Sequence, residues 1–178
     1  MPRLFTGIAI PADIALSLSF LRGGIRGARW IDQESYHLTL RFVGDIENDT
    51  AAELVDALGS VTGPRFEMEL RGSGHFGNLK PRAVWAAVSA PPELTELQTR
   101  QERLCQRLGL APEPRKFTPH VTLARLKGRV SPLEVEDFEA RHSGFRSPPF
   151  EVREFVLYSS RPSKGGGPYV VEETYPLL

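Results

Sequence analysis

Two short stretches of this chain are near copies of each other. His37-Leu38-Thr39-Leu40 and His120-Val121-Thr122-Leu123 stand 83 residues apart in a chain of 178, one in each half. Each lies in an apolar run of strand length, Tyr36 to Val43 and His120 to Leu126. Side chains alternate faces along a strand. The aliphatic residues of each copy therefore point one way, into a core, while His and Thr stand together on the other side. A duplicated lobe is the simplest fold that satisfies both copies.

The remaining pattern is mixed. Arg3 to Ile10 predicts a strand that Pro11 ends. Ile14, Leu18, Leu21 and Ile25 follow at helical spacing, weakened at the end by Gly23-Gly24. Ala28 to Ile31 is a brief apolar segment. Thr50-Ala51-Ala52-Glu53 reads as a capping box that opens a helix through Leu58. Phe66, Met68 and Leu70 alternate as in a strand, and Ala83 to Val88 is another. Leu94, Leu97, Gln101, Leu104 and Leu108 make a helical stripe that Gly109 stops. Leu110 to Lys116, with Pro112 and Pro114, reads as a stiff loop. Ser131-Pro132 opens a further helix. Phe150 to Tyr158 and Tyr169 to Tyr175 read as strands, with Gly165–Gly167 between them as a surface hairpin or a lid over the groove. This order predicts an α+β fold with a largely antiparallel sheet system. No low-complexity linker divides the chain, so residues 1–178 read as one domain.

Composition narrows the function. Lys+Arg equals Asp+Glu at 22 each, which argues against long-range capture of duplex DNA but leaves room for a local basic groove. The one cysteine, Cys105, rules out an intrachain disulfide and falls in an apolar helical pattern. No CxxC or clustered Cys/His spacing is present, so neither a metal nor a cofactor is expected, and a reducing cytoplasm fits. Leu4 to Leu21 is mostly apolar, but Pro11 and Asp13 interrupt it, and no membrane association is expected.

Paired histidines beside paired hydroxyls suit phosphoester chemistry. One imidazole takes a proton from an attacking water while another, across the phosphorus, protonates the leaving oxygen. With an ordinary pKa of ~6.5, one neutral and one charged imidazole coexist near neutrality. The threonine hydroxyls can donate to the non-bridging oxygens where charge builds up. The chain has four histidines, His37, His75, His120 and His142. Two of four carrying Thr at the second following position has a chance probability on the order of a per cent, which disfavours a purely structural origin.

The sequence resembles the two-histidine phosphoesterase superfamily, and within it the RNA 2′,3′-cyclic phosphodiesterases, also called 2′-5′ RNA ligases. The two His-x-Thr-x motifs carry the resemblance. So do Arg3-Leu4-Phe5 with Ile8-Ala9-Ile10-Pro11, Arg29-Trp30 before the first motif, Lys116-Phe117-Thr118-Pro119 before the second, and Leu157-Tyr158-Ser159-Ser160 near the end. It spans nearly the whole chain. It implies a bilobal, pseudo-symmetric fold of two antiparallel sheets with flanking helices and an active-site groove between the lobes. It also implies metal-independent hydrolysis of RNA 2′,3′-cyclic phosphate ends to 2′-phosphomonoesters. The near symmetry of the motifs leaves acid and base unassigned. The resemblance makes His37 the proton donor and His120 the proton acceptor. Partners would be RNA ends or nucleotides bearing a 2′,3′-cyclic phosphate, with the protein a monomer. Alternatives are a cyclic phosphodiesterase for small nucleotides or ADP-ribose derivatives, a reversible 2′-5′ ligase, and a non-catalytic RNA-binding module.

Further candidates surround the motifs. Thr39 and Thr122 would bind substrate. Arg125 follows His120 by five positions, which strict alternation puts on the wrong face. The resemblance favours a substrate-binding role, which then requires a bulge. Arg41 shares the parity of His37 and reads as either a groove cation or a solvated residue. Phe117 could stack on a terminal base or pack in the core. Trp30, Trp85 and Phe5 read as core. His75 reads as a loop histidine in a glycine-rich turn, and His142 as a cation at a helix C-terminus.

Overall fold

A computed structural model describes residues 3–160 and 169–178. The chain runs through β1 (Arg3–Ala9), α1 (Ala12–Ser19), β2 (Ala28–Trp30), β3 (His37–Asp45) and α2 (Asn48–Leu58). It continues with β4 (Phe66–Phe76), β5 (Ala83–Ser89), α3 (Pro92–Arg107), β6 (His120–Leu126) and α4 (Pro132–His142). It ends with β7 (Phe150–Val152), β8 (Glu154–Ser160) and β9 (Tyr169–Pro176). The α+β class matches the expectation.

The strands follow one path, β7-β4-β5-β6-β3-β1-β8-β9, with β2 paired to β6 off that path. Four antiparallel strands lie on either side of a central junction. There β3 meets β6 through Leu38 opposite Val121. The two motif strands are thus the innermost strands of two similar halves. Their outer neighbours repeat the pattern. Ala9 pairs with His37 and Gly7 with Thr39, while Ala87 pairs with His120 and Trp85 with Thr122.

Burial follows the predicted alternation through each motif. Leu38, Leu40, Val121 and Leu123 are buried in one continuous apolar core. Each such side chain contributes roughly 1.5–3 kcal/mol. Helix α3 packs on β3 and α4 on β4, so helices fill the core side and leave the His/Thr side open. Cys105 is buried in α3, as its pattern implied. Among the described residues, no helix is long and apolar enough to cross a membrane.

Several boundaries differ from the sequence reading. Helix α1 ends at Ser19, and Ile25 reaches the core from the following loop. Helix α2 starts at Asn48 with Glu47 at its cap, so Thr50 lies inside the first turn instead of capping it. Ser131 does cap α4, accepting from the Glu134 N–H at 3.4 Å. Phe150 to Tyr158 is two strands, β7 pairing with β4 and β8 with β1, on opposite sides of the sheet. Alternation cannot reveal that the chain changes partner at Arg153. The glycine-rich segment around His75 is not a turn. It continues β4, with an irregular register between Leu70 and Ser73. Gly165–Gly167 lies outside the described residues.

Candidate active site

The junction pairing sets the site. Extending the antiparallel register one residue each way from Leu38 and Val121 places His37 opposite Thr122 and Thr39 opposite His120. Directly opposite residues share a face. Two histidines and two threonines therefore form a crossed quartet on the side away from the core. All four are half-buried.

Each imidazole is held the same way. The His37 Nδ1–H donates to the Ser35 carbonyl at 2.9 Å, and the His120 Nδ1–H donates to the Thr118 carbonyl at 2.6 Å. A carbonyl only accepts, so Nδ1 carries the proton and Nε2 is the bare nitrogen. The Thr39 hydroxyl donates to the His37 Nε2 at 3.0 Å.

Aromatic rings wall both histidines. Phe5 and Tyr169 lie 4.9 Å from the His37 ring and Tyr158 lies 5.7 Å away. Phe76 and Trp85 lie 4.8 and 5.6 Å from His120. Phe5, read from the sequence as core, is buried with Val156 and Tyr158 and also touches the site, while Trp85, read the same way, is half-buried beside His120. A Cβ at Gly74 would meet the Trp85 ring at 2.3 Å, so this strand neighbour must lack a side chain for the ring to settle there. Trp30 keeps its expected place, packed against the core and 5.7 Å from Phe138.

This burial has an electrostatic cost. Desolvation pushes His37 from 6.5 down to about 4, against the hydrogen bond to Ser35, and the charges of Arg125 and His120 add to the fall. Desolvation also lowers His120, opposed by the bond to Thr118 and aided by Arg115. Without an anion in the groove, both imidazoles are neutral near pH 7. The sequence-based picture of one charged and one neutral ring at neutrality therefore requires a negative substrate.

Matching bulges decide the fate of the two arginines. The β1–β3 register slips between Thr6 and Gly7, and the β5–β6 register slips between Val84 and Trp85. Each slip leaves an extra motif-strand residue, Leu40 and Leu123, and shifts alternation by one. Arg125 is thereby exposed on the His/Thr face, the condition its candidacy required. Arg41 swings to the core face instead. It is 5% exposed, pairs with Glu102 of α3 and donates to the Ala111 carbonyl at 2.6 Å. It is neither a groove cation nor a solvated residue, because the bulge inverted its face. At the position matching Arg125, β3 carries Phe42, with the Arg3 guanidinium 5.7 Å from its ring centroid.

The remaining candidates make other contacts. Phe117 is half-buried and packs against the core. His75 projects from β4, and its Nδ1 pairs with the Glu139 carboxylate of α4. His142 closes α4, with burial and then the Arg141 charge holding its pKa below the usual range. Sequence reasoning missed the wall of Phe5, Phe76, Trp85, Tyr158 and Tyr169, and the Ser35 and Thr118 carbonyls. The carbonyls leave no trace in residue identity. The aromatics sit on strands whose facing only the bulges and partner order define.

Two His-x-Thr strands meeting at the centre of a divided antiparallel sheet make the architecture of a two-histidine phosphoesterase. The family model described as LigT like Phosphoesterase matches residues 8–85 and 87–169, one span in each half. The chain belongs to this LigT-like phosphoesterase family. It is 42% identical over 100 residues to an RNA 2′,3′-cyclic phosphodiesterase of Aeropyrum pernix, covering 55% of this chain and 57% of that one. It is 33% identical to the protein of that name in Archaeoglobus fulgidus, covering 89% and 90% of the two chains. The match to the Geobacillus stearothermophilus protein of that name covers 84% of this chain but 48% of the relative. The chain thus spans about half the length of two of these relatives. The crystal structure of E. coli LigT complexed with 3′-AMP superposes with a TM-score of 0.79 at 26% identity, over 99% of both chains.

Proposed function

We propose that this chain hydrolyses RNA 2′,3′-cyclic phosphate ends to 2′-phosphomonoesters without a metal, with His37 as acid and His120 as base. The carrying observation is the pair of imidazoles whose Nδ1–H groups are tied to backbone carbonyls, leaving each Nε2 for chemistry. In the reaction, His120 Nε2 takes a proton from water as its oxygen bonds to phosphorus. The P–O3′ bond breaks, and a protonated His37 Nε2 gives its proton to the leaving 3′-oxygen. Loss of the His120 proton and uptake of one at His37 from solvent restore the starting state. The anionic phosphate between the rings raises both pKa values and so charges His37. Thr39 and Thr122 donate to the non-bridging oxygens, with Thr39 releasing the His37 Nε2 to do so. The charge of Arg125 reaches His37 from farther along β6.

Its relatives' name, RNA 2′,3′-cyclic phosphodiesterase, supports the substrate class. Among the described residues, no group of three His, Cys, Asp or Glu is placed to hold a metal ion. A second reading, turnover of small cyclic nucleotides, is favoured by the 3′-AMP complex of E. coli LigT. A ribose 5′-hydroxyl in place of water would give 2′-5′ ligation by the same proton transfers. The test is incubation with 2′,3′-cyclic nucleotides and oligonucleotides in excess EDTA, with products identified by phosphorus NMR. A 2′-phosphomonoester formed at an undiminished rate supports the proposal. A 3′-phosphomonoester, or activity that returns only with added divalent metal, contradicts it.

A further inference from the structure

Arg29 of β2 lies directly opposite Arg125 of β6. Its neighbours Ala28 and Trp30 pack against the core, so Arg29 faces away from it, and Ala124 and Leu126 set Arg125 the same way. Both arginines are exposed, side by side on the His/Thr face. The other strand neighbour of Arg125 is Ala83, whose methyl leaves the guanidinium room. Like charges directly opposite on paired strands are destabilising. Among the described residues neither arginine has a carboxylate within ion-pair distance, although seven other arginines do. Residues 161–168 contain no Asp or Glu. A pair of guanidiniums kept adjacent and unpaired is a site waiting for an anion, and their forked donors match phosphate oxygens.

The pair lies beyond the catalytic quartet. Thr122 faces His37, and Arg125 is three positions further along β6, one of them the bulged residue. At about 3.3 Å per residue, this puts the Arg29–Arg125 pair roughly 7–10 Å along the strand from the reacting phosphate. A mononucleotide with a cyclic phosphate carries no second phosphate to reach it, whereas an RNA chain does.

We propose that Arg29 and Arg125 form a second phosphate site, which binds the phosphodiester of the RNA chain next to its cyclic end. The inference rests on the hydrolase reading above and names its substrate class, RNA chains over mononucleotides. The decisive experiment measures binding, by calorimetry, of two product-type probes: a dinucleotide ending in a 2′-phosphate and the matching mononucleotide 2′-phosphate. The wild-type protein binds the dinucleotide about tenfold more tightly, as one charge-assisted contact allows. Arg29→Ala loses most of that ratio, and Arg29→Lys recovers part of it. Urea unfolding of each variant checks that the three-residue strand β2 is intact. A dinucleotide advantage that survives in Arg29→Ala, or an equal loss on both probes, overturns the second site. Failure to turn over cyclic substrates would instead defeat the hydrolase reading while leaving the binding ratio readable.

Discussion

Leu38 and Val121 face each other across the centre of the sheet, Leu38 flanked by His37 and Thr39 and Val121 by His120 and Thr122. Neither side chain is exposed at all. The residues that fix the catalytic spacing are therefore core residues, one position away from the histidines they place.

That relationship makes Leu38→Ala informative. Removing a buried leucine side chain costs about 2–5 kcal/mol, through lost burial and a residual cavity. The expected result is a lower urea midpoint together with reduced kcat in the folded fraction, because the quartet loses its spacing. Full kcat at reduced stability would show that the junction supports the fold without setting the site.

The histidine environments predict an acid-shifted pH profile. kcat/KM reports the free enzyme. With burial holding His37 at about 4 and His120 below 6.5, a bell that needs His37 charged and His120 neutral peaks below pH 6.5. The kcat profile, set in the presence of bound phosphate, lies at higher pH. A kcat/KM maximum above pH 7 would contradict this.

The same burial affects stability. The folded-state pKa of His37 is depressed from 6.5 to about 4. The unfolded chain therefore takes up this proton first as pH falls, and stability is lost between pH 6.5 and 4. The effect is on the order of 3 kcal/mol at full extent. His37→Gln should accordingly lose less stability than wild type between pH 7 and pH 4 in urea unfolding. An identical loss in both proteins would show that His37 titrates normally.

Thr39→Val and Thr122→Val keep the β-branched shape and remove the hydroxyl. Both should lower kcat by about tenfold or more with little change in unfolding midpoint, as for a donor that strengthens toward the transition state. Unchanged kinetics in both would make these threonines structural.

Much of the site was legible because two motifs repeat with strand periodicity. His37, Thr39, His120 and Thr122 follow from alternation alone, as do Leu38 and Val121 in the core. What escaped came from breaks in that alternation. Leu40 and Leu123 look like ordinary core positions, yet each is the extra residue of a bulge, so Arg41 turned inward and Arg125 outward. A bulge adds a residue without a compositional mark. Arg29 became a neighbour of Arg125 because β2 pairs with β6, a contact between residues about a hundred positions apart. His75 entered a strand because glycines that suggest a turn also accommodate the crowding of Trp85.

The division of labour between His37 and His120 is the central claim, and leaving-group replacement tests it most directly. A ribose 3′-hydroxyl leaves poorly and needs the acid, whereas a nitrophenol needs little protonation. His37→Ala and His120→Ala, each shown folded, are to be compared on a 2′,3′-cyclic nucleotide and on a nitrophenyl phosphodiester that the wild-type protein accepts. The expected result is that His37→Ala is severely impaired on the cyclic substrate and recovers much of its rate on the nitrophenyl ester, while His120→Ala stays slow on both. Recovery of His120→Ala alone would reverse the two roles, and near-wild-type turnover of the cyclic substrate by either variant would remove that histidine from the mechanism.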